Sequence, residues 1–231
     1  LSLEHGLSLS SVYAIVQDGQ GFMWFGTLDG LNRFDGYSVV VYKHNTADSS
    51  SISDNGIWCL ARGRSGDLWI GTMRGGLNYY DVARNRFSAF KNDPADPSSI
   101  SENNVLSVFV DSRGRVWAGT LVNGLNMYDP ETRRFTRYRY DPAVPQSLSN
   151  NTVWSVCEDR RGSLWVATVT GLCRLAIGDT TGLNPKSGNV PQWFTRYYHD
   201  PANPASLGGN NIRSLHVDHR GRLWVGTLGS G

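Results

Sequence analysis

Five hexapeptides decide how this chain is read: FMWFGT (residues 22–27), DLWIGT (67–72), RVWAGT (115–120), SLWVAT (163–168) and RLWVGT (222–227). Their tryptophans, Trp24, Trp69, Trp117, Trp165 and Trp224, are separated by 45, 48, 48 and 59 residues. A glycine precedes each hexapeptide, namely Gly21, Gly66, Gly114, Gly162 and Gly221. Upstream stand VYAIVQD, IWCLARG, VLSVFVD, VWSVCED and IRSLHVD, and downstream come GLNRFD, GLNYYD, GLNMYD and GLCRL. An aromatic-bearing run closes each of the first four copies: SVVVY, RFSAF, RFTRY and WFTRY. Self-similarity at a fixed period of this length marks a repeat architecture.

Each copy holds four short runs rich in Val, Ile and aromatic residues, broken by Gly, Asp and Asn, which is the pattern of strands joined by turns. Between the first two runs lies D-x-x-G (Asp18–Gly21, Asp111–Gly114, Asp159–Gly162, Asp218–Gly221). There Asp bonds the backbone ahead of it and Gly accepts the positive φ of a tight turn. The second copy departs, with Gly63 in place of Asp. No run has helical periodicity. The sequence therefore predicts an all-β fold, a β-propeller of four-stranded antiparallel blades in an incomplete ring, about four and a half blades of a larger propeller. As a single segment over 1–231, its blades fall at about 12–42, 57–90, 105–138 and 153–197, with a partial blade at 212–228 and an insertion loop at 176–190. With strands A to D running outward from the channel, each strand B Trp is expected as a buried wedge between blades. The Gly two residues later admits the neighbouring backbone, although Ala167 fills that place in the fourth copy.

Composition narrows the classes. Charged residues make up 18% and the net charge is +2, which gives no basis for nucleic-acid binding. Three of the 22 basic residues are Lys and the rest are Arg. Neither a membrane-spanning run nor a signal peptide is expected in this stretch, so any membrane link belongs to a parent chain. Cys59, Cys157 and Cys173 sit in apolar runs without a CxxC spacing and read as small buried hydrophobes.

The linked motif N-x-V-x-x-(I/V)-x-x-D-x-x-G-x-(L/V)-W-(I/V)-G-T-x-x-x-G-L-x-x-Y-D, followed most completely by residues 101–138, resembles the two-component regulator propeller repeat. The resemblance implies the extracytoplasmic, periplasmic part of a hybrid two-component histidine kinase. In that family two propellers, an immunoglobulin-like domain and a membrane helix commonly precede the kinase, and many members sense oligosaccharides. It implies a non-catalytic sensor whose partner is a small molecule or oligosaccharide, with no cofactor, no metal and a homodimer formed through the parent ectodomain. A propeller lyase of the streptogramin-inactivating type and a protein-interaction platform are the alternatives. The lyase is disfavoured here because His5, His44, His199, His216 and His219 are read as falling at no common blade level.

Two sets of positions vary while the motif around them stays constant, and both are assigned to the rim formed by the D–A linkers and B–C loops. Early in strand A come Tyr13, Trp58, Leu106, Trp154 and Arg213, and just after the Gly-Thr of strand B come Asp29, Arg74, Asn123 and Thr170. Tyr13, Trp58 and Trp154 offer flat faces for a sugar ring. Arg213, Asp29, Arg74, Asn123 and Thr170 offer hydrogen bonds to hydroxyls or carboxylates. His216 and His219 are read as lacking a third metal ligand, and Asp93 and Asp96 as turn caps rather than a calcium loop. Asn55, Asn103, Asn151 and Asn210, just ahead of strand A, are expected to tie down the linkers.

Overall fold

Runs of β-branched and aromatic residues form the strands, and the Asp, Asn and Gly clusters between them form the turns, as their backbone preferences dictate. The computed structural model describes residues 2–176 and 194–230. In chain order the strands are β1 (Ala14–Gln17), β2 (Met23–Thr27), β3 (Gly30–Phe34), β4 (Val39–Tyr42), β5 (Ile57–Arg62), β6 (Leu68–Thr72), β7 (Leu77–Asp81), β8 (Arg86–Phe90) and β9 (Val105–Val110). Then follow β10 (Val116–Thr120), β11 (Leu125–Asp129), β12 (Arg134–Tyr138), β13 (Val153–Glu158), β14 (Ser163–Thr168), β15 (Gly171–Ala176), β16 (Phe194–Tyr197), β17 (Ile212–Val217) and β18 (Leu223–Thr227). Among the described residues the one helical element is the 3-10 turn Leu3–His5. The expected insertion at 176–190 lies outside the described residues except for Ala176, which ends β15.

Each sheet follows chain order: β1-β2-β3-β4, β5-β6-β7-β8, β9-β10-β11-β12, β13-β14-β15-β16 and the two-stranded β17-β18. Successive antiparallel strands joined by short turns are the build of a propeller blade. The contacts group the chain into two compact units, Leu1–Val110 and Asp111–Gly231.

In the first unit, Trp24 stacks on Tyr42 of the same blade at 5.6 Å and meets Tyr80 of the next edge-on at 5.2 Å. Trp69 stacks on Phe90 at 5.8 Å. In the second unit Trp117 meets Tyr138 at 5.7 Å and Trp165 meets Tyr197 at 5.5 Å. The aromatic of each strand D is therefore the ring partner of its own blade's tryptophan, a contact that adds about 0.5–1.5 kcal/mol beyond area burial. Trp224 is 57% exposed. Its sheet has two strands among the described residues.

Gly71 explains the small residue after the tryptophan. A Cβ there would overlap Cys59 Sγ and stand 2.8 Å from the Val105 carbonyl oxygen of the adjoining strand. Ala167 packs with Leu172 and Ile212. Buried polar groups lock the opposite end of strand B. The Oγ1 atoms of Thr27, Thr72, Thr120 and Thr168 donate to the carbonyls of Gly30, Gly76, Gly124 and Gly171 at 2.8–3.0 Å. Asn32 and Asn78 bond Ser8 and Ser53 in the preceding linker through both amide atoms. Cys173 takes that place in the fourth blade and accepts the Ser149 amide at 3.2 Å. Burial pushes the thiols of Cys59 and Cys157 up to about 12, so these cysteines behave as small apolar residues.

Candidate functional site

The variable row at the start of strand A owes its presentation to a backbone irregularity. In the second blade Ile57 pairs with Thr72 and Cys59 with Gly71, which leaves Trp58 as the extra residue of a β-bulge. Trp154 stands between the pairs Val153–Thr168 and Ser155–Ala167 in the same way. Arg213 stands between Ile212–Thr227 and Ser214–Gly226. In the first blade Tyr13 donates its amide to Gly26 at 2.9 Å while Ala14 is the residue paired with Gly26. Again two residues face one. A bulge re-aims the side chain it carries, and here the re-aimed side chain is the one that changes from blade to blade.

Within the first unit, Tyr13 (47% exposed) meets Trp58 edge-on, with ring centroids 5.0 Å apart at 88°. Within the second unit the Arg213 guanidinium lies over the Trp154 ring at 4.0 Å, a cation–π stack that fixes both groups. The indole nitrogens of Trp58 and Trp154 and the Nε of Arg213 are sealed from solvent without an acceptor among the described residues. A buried donor left unmet costs about 1–3 kcal/mol. Asn211, beside Arg213, has its Oδ1 in the same condition. Asn211 and Asn104 were not singled out in the sequence, although each immediately precedes a strand A, and that position was the available signal. Leu106 is buried and offers packing only.

The second row is less uniform than its sequence alignment implies. The B–C turn has two residues between Thr27 and Gly30 and between Thr168 and Gly171. It has three between Thr72 and Gly76 and between Thr120 and Gly124. Arg74 and Asn123 thus occupy different turn positions. Asp29 is paired with Lys43 at 2.8 Å, and Thr170 Oγ1 donates to the Ser149 carbonyl at 2.8 Å. The Asn123 amide donates to Thr120 Oγ1 at 3.2 Å. The Arg74 amide is held by Asp54 at 2.7 Å, which leaves its exposed side chain directed by the turn alone.

The linker between blades is fastened at one repeated point. Oδ1 of Asn55, Asn103, Asn151 and Asn210 accepts the amides of His44, Asn92, Tyr140 and His199, each at 2.7 Å. This corrects the reading that the histidines share no blade level, because His44 and His199 hold the same linker position. Both rings bond a linker carbonyl, Ile52 at 2.8 Å and Leu207 at 2.6 Å. Asn92 does the same with Ile100 at 2.7 Å, so this position closes a turn. Asp93 and Asp96 bond the amides of Ala95 and Ser98. Among the described residues no three His, Cys, Asp or Glu side chains converge as metal ligands, and no helix is long and apolar enough to cross a membrane.

The two-component regulator propeller family matches residues 6–29, 51–74, 99–121, 147–170 and 206–229, just over half of the chain. The extracellular domain of a hybrid two-component system from B. thetaiotaomicron superposes with a TM-score of 0.80 at 30% identity, covering 98% of this chain and 29% of that one. Virginiamycin B lyase from Staphylococcus aureus shares the fold alone, with a TM-score of 0.62 at 14% identity over 93% of this chain and 62% of its own. Histidine kinase P4 of Formosa agariphila is 56% identical over 48 residues, which is 21% of this chain and 4% of the kinase. The chain thus spans less than a third of the bacterial ectodomain and a small part of the kinase. Five repeats matched at the positions where the sheets begin and turn leave one assignment: the chain belongs to the two-component regulator propeller family.

Proposed function

We propose that this chain is a non-catalytic sensing segment of a periplasmic ectodomain, and that it binds an oligosaccharide whose presence a downstream histidine kinase reports. The observation that carries the reading is the bulge row. One backbone device, repeated in the first, second, fourth and fifth blades, presents Tyr13, Trp58, Trp154 and Arg213. Three of the four are aromatic, and the two indole nitrogens have no internal acceptor. A sugar ring has an apolar C–H face for such rings. The Arg213–Trp154 stack is fixed before ligand arrives, which lowers the ordering cost of binding. A rigid blade transmits ligand occupancy by rigid-body movement rather than by internal rearrangement. The lyase alternative draws on fold similarity alone, and His44 and His199 are engaged in closing linkers.

Titration of the 231-residue chain with a panel of oligosaccharides, followed by tryptophan fluorescence, tests the proposal. For a ligand that binds, Trp58→Ala and Trp154→Ala should each weaken affinity by about tenfold or more, the scale of losing one stacking platform. Affinity unchanged in both variants would remove the bulge row from the site.

A further inference from the structure

At the other end of the blades, the A–B turn carries an internal carboxylate in four cases out of five. Asp18 Oδ1 accepts the amides of Gln20 and Phe22 at 2.8 and 3.0 Å, and its Oδ2 accepts Trp24 Nε1 at 2.7 Å. Asp111 repeats this with Arg113, Arg115 and Trp117 at 3.0, 2.9 and 2.9 Å. Asp159 does so with Arg161, Ser163 and Trp165 at 2.9, 2.9 and 2.8 Å. Asp218 does so with Arg220, Arg222 and Trp224 at 2.9, 2.9 and 3.1 Å.

The second blade keeps the turn and lacks the carboxylate. Gly63 donates to the Asp67 carbonyl at 2.7 Å and Gly66 donates to the Gly63 carbonyl at 3.3 Å, the backbone bonds of the other four turns. The amides of Ser65 and Asp67, which correspond to those that Asp captures elsewhere, find no acceptor among the described residues. A Cβ on Gly63 would stand in ordinary contact, 3.4 Å from the Asp67 carbonyl oxygen and 3.5 Å from Trp69 Nε1. This turn opens into a cleft of about 560 Å³ lined by Arg62, Arg64, Asp67, Tyr79, Asp81 and Arg84, with Gly19 and Gly66 in its wall. Arg84 is paired with Asp81 at 2.7 Å, and the Tyr79 hydroxyl bonds Asp67. Arg62 and Arg64 have no carboxylate partner among the described residues.

We propose that this cleft is a second ligand site, which receives an external carboxylate in the place that Asp occupies in the sister turns. One carboxylate oxygen takes the Ser65 and Asp67 amides, a pairing that the protein itself repeats four times, and Arg62 and Arg64 supply charge complementarity. The chemistry fits a small carboxylate-bearing molecule, either an acidic sugar or a free dicarboxylate. The site stands apart from the bulge row, which lies at the opposite end of the strands, and does not depend on it.

Amide ¹H–¹⁵N spectra of the 231-residue chain, titrated with sodium galacturonate, sodium succinate and neutral galactose at matched ionic strength, test the assignment. Saturable shifts of the Ser65 and Asp67 amides are expected with galacturonate, succinate or both, and none with galactose. Saturation by one of the two acids alone identifies the source, and saturation by both assigns the site to the carboxylate group itself. Gly63→Asp should abolish the shifts by filling the socket from within, and its backbone lies outside the left-handed region, so the new side chain is accommodated. Arg62→Ala combined with Arg64→Ala, both exposed positions, should weaken binding by about tenfold or more. No saturable shift with either acid, or shifts that persist in Gly63→Asp, would overturn the proposal. Should Gly63→Asp not fold, undiminished binding in the double arginine variant overturns it instead.

Discussion

Asp111 is the place to test whether the repeated turn carboxylate holds a blade together. It is buried, and its two oxygens accept four hydrogen bonds: Arg113 and Arg115 amides on one, Trp117 Nε1 and Arg115 Nε on the other. In Asp111→Ala the Trp117 indole nitrogen, on a ring only 1% exposed, loses its acceptor, which costs about 1–3 kcal/mol by itself. Arg115 loses its ion-pair partner while 19% exposed, and two turn amides return to solvent. Breaking a buried, hydrogen-bonded charge in this way costs about 3–5 kcal/mol. Asp111→Asn keeps an acceptor for the amides but turns an NH2 toward two donors, so about 2–3 kcal/mol is expected. Equilibrium urea unfolding followed by far-UV circular dichroism measures both. The diagnostic quantity is the coupling with Trp117→Phe. With no indole N–H left to strand, Asp111→Ala should become less costly by about 1–3 kcal/mol. A coupling below about 0.5 kcal/mol, or a loss below about 1 kcal/mol in Asp111→Ala alone, would refute the view that this carboxylate ties the turn to the core.

Gly71→Ala would drive a methyl against the Val105 carbonyl oxygen and Cys59, so a loss of about 1–3 kcal/mol in urea unfolding is expected, the range for overpacking; a neutral substitution would show that the strands at this point are free to separate. Acid should weaken the fourth and fifth blades. Burial works to raise Asp159, but its bonds from Trp165 and the Ser163 and Arg161 amides prevail and hold it below the ordinary carboxylate value. The Arg222 amide bond leads the causes that hold Asp218 down to about 2. A depressed folded-state pKa contributes stability that is full above the unfolded value of 3.8 and is lost as pH falls through the folded value. For Asp218 the decline should therefore fall between pH 3.8 and about 2, and Asp218→Asn should flatten it; an identical pH profile in that variant would show that this aspartate does not drive it.

Much of the blade was readable because its parts have separate chemical signatures. Asp and Gly named the A–B turn, Trp and the closing aromatic named the two rings that stack, and Gly-Thr marked the end of strand B. The bulge left no such mark. In Ile57-Trp58-Cys59-Leu60-Ala61 nearly every side chain is apolar, so the alternation that would betray a register shift is absent. The turns after Thr27 and Thr168 are one residue shorter than those after Thr72 and Thr120. Within the longer pair Arg74 is the second residue and Asn123 the third, so one column of sequence holds positions that differ in the fold. The equivalence of His44 and His199 was legible in the sequence, since each follows Tyr-x at the end of strand D and stands 11 residues before the linker Asn. The other two linkers carry Asn92 and Tyr140 there, which masks the column as a histidine position.

The two ends of the blade obey different rules, and the reason is mechanical. At the A–B end the Asp carboxylate is simultaneously the turn's cap and the indole's acceptor, so any replacement must satisfy three donors at once. Four blades retain it, and the one that does not opens a cleft beside arginines. At the bulge the extra residue has no cross-strand partner, while its successor, Ala14, Cys59, Ser155 or Ser214, is small and packs on the Gly or Ala of strand B. Packing on strand B constrains the successor. The bulged side chain has no strand B partner and rests against its neighbour in the row, as Trp58 does against Tyr13 and Trp154 against Arg213, so Tyr, Trp or Arg can stand there. Variation at that row is therefore tolerated by the fold before any ligand is considered, which is the condition a repeat scaffold needs in order to acquire specificity one blade at a time.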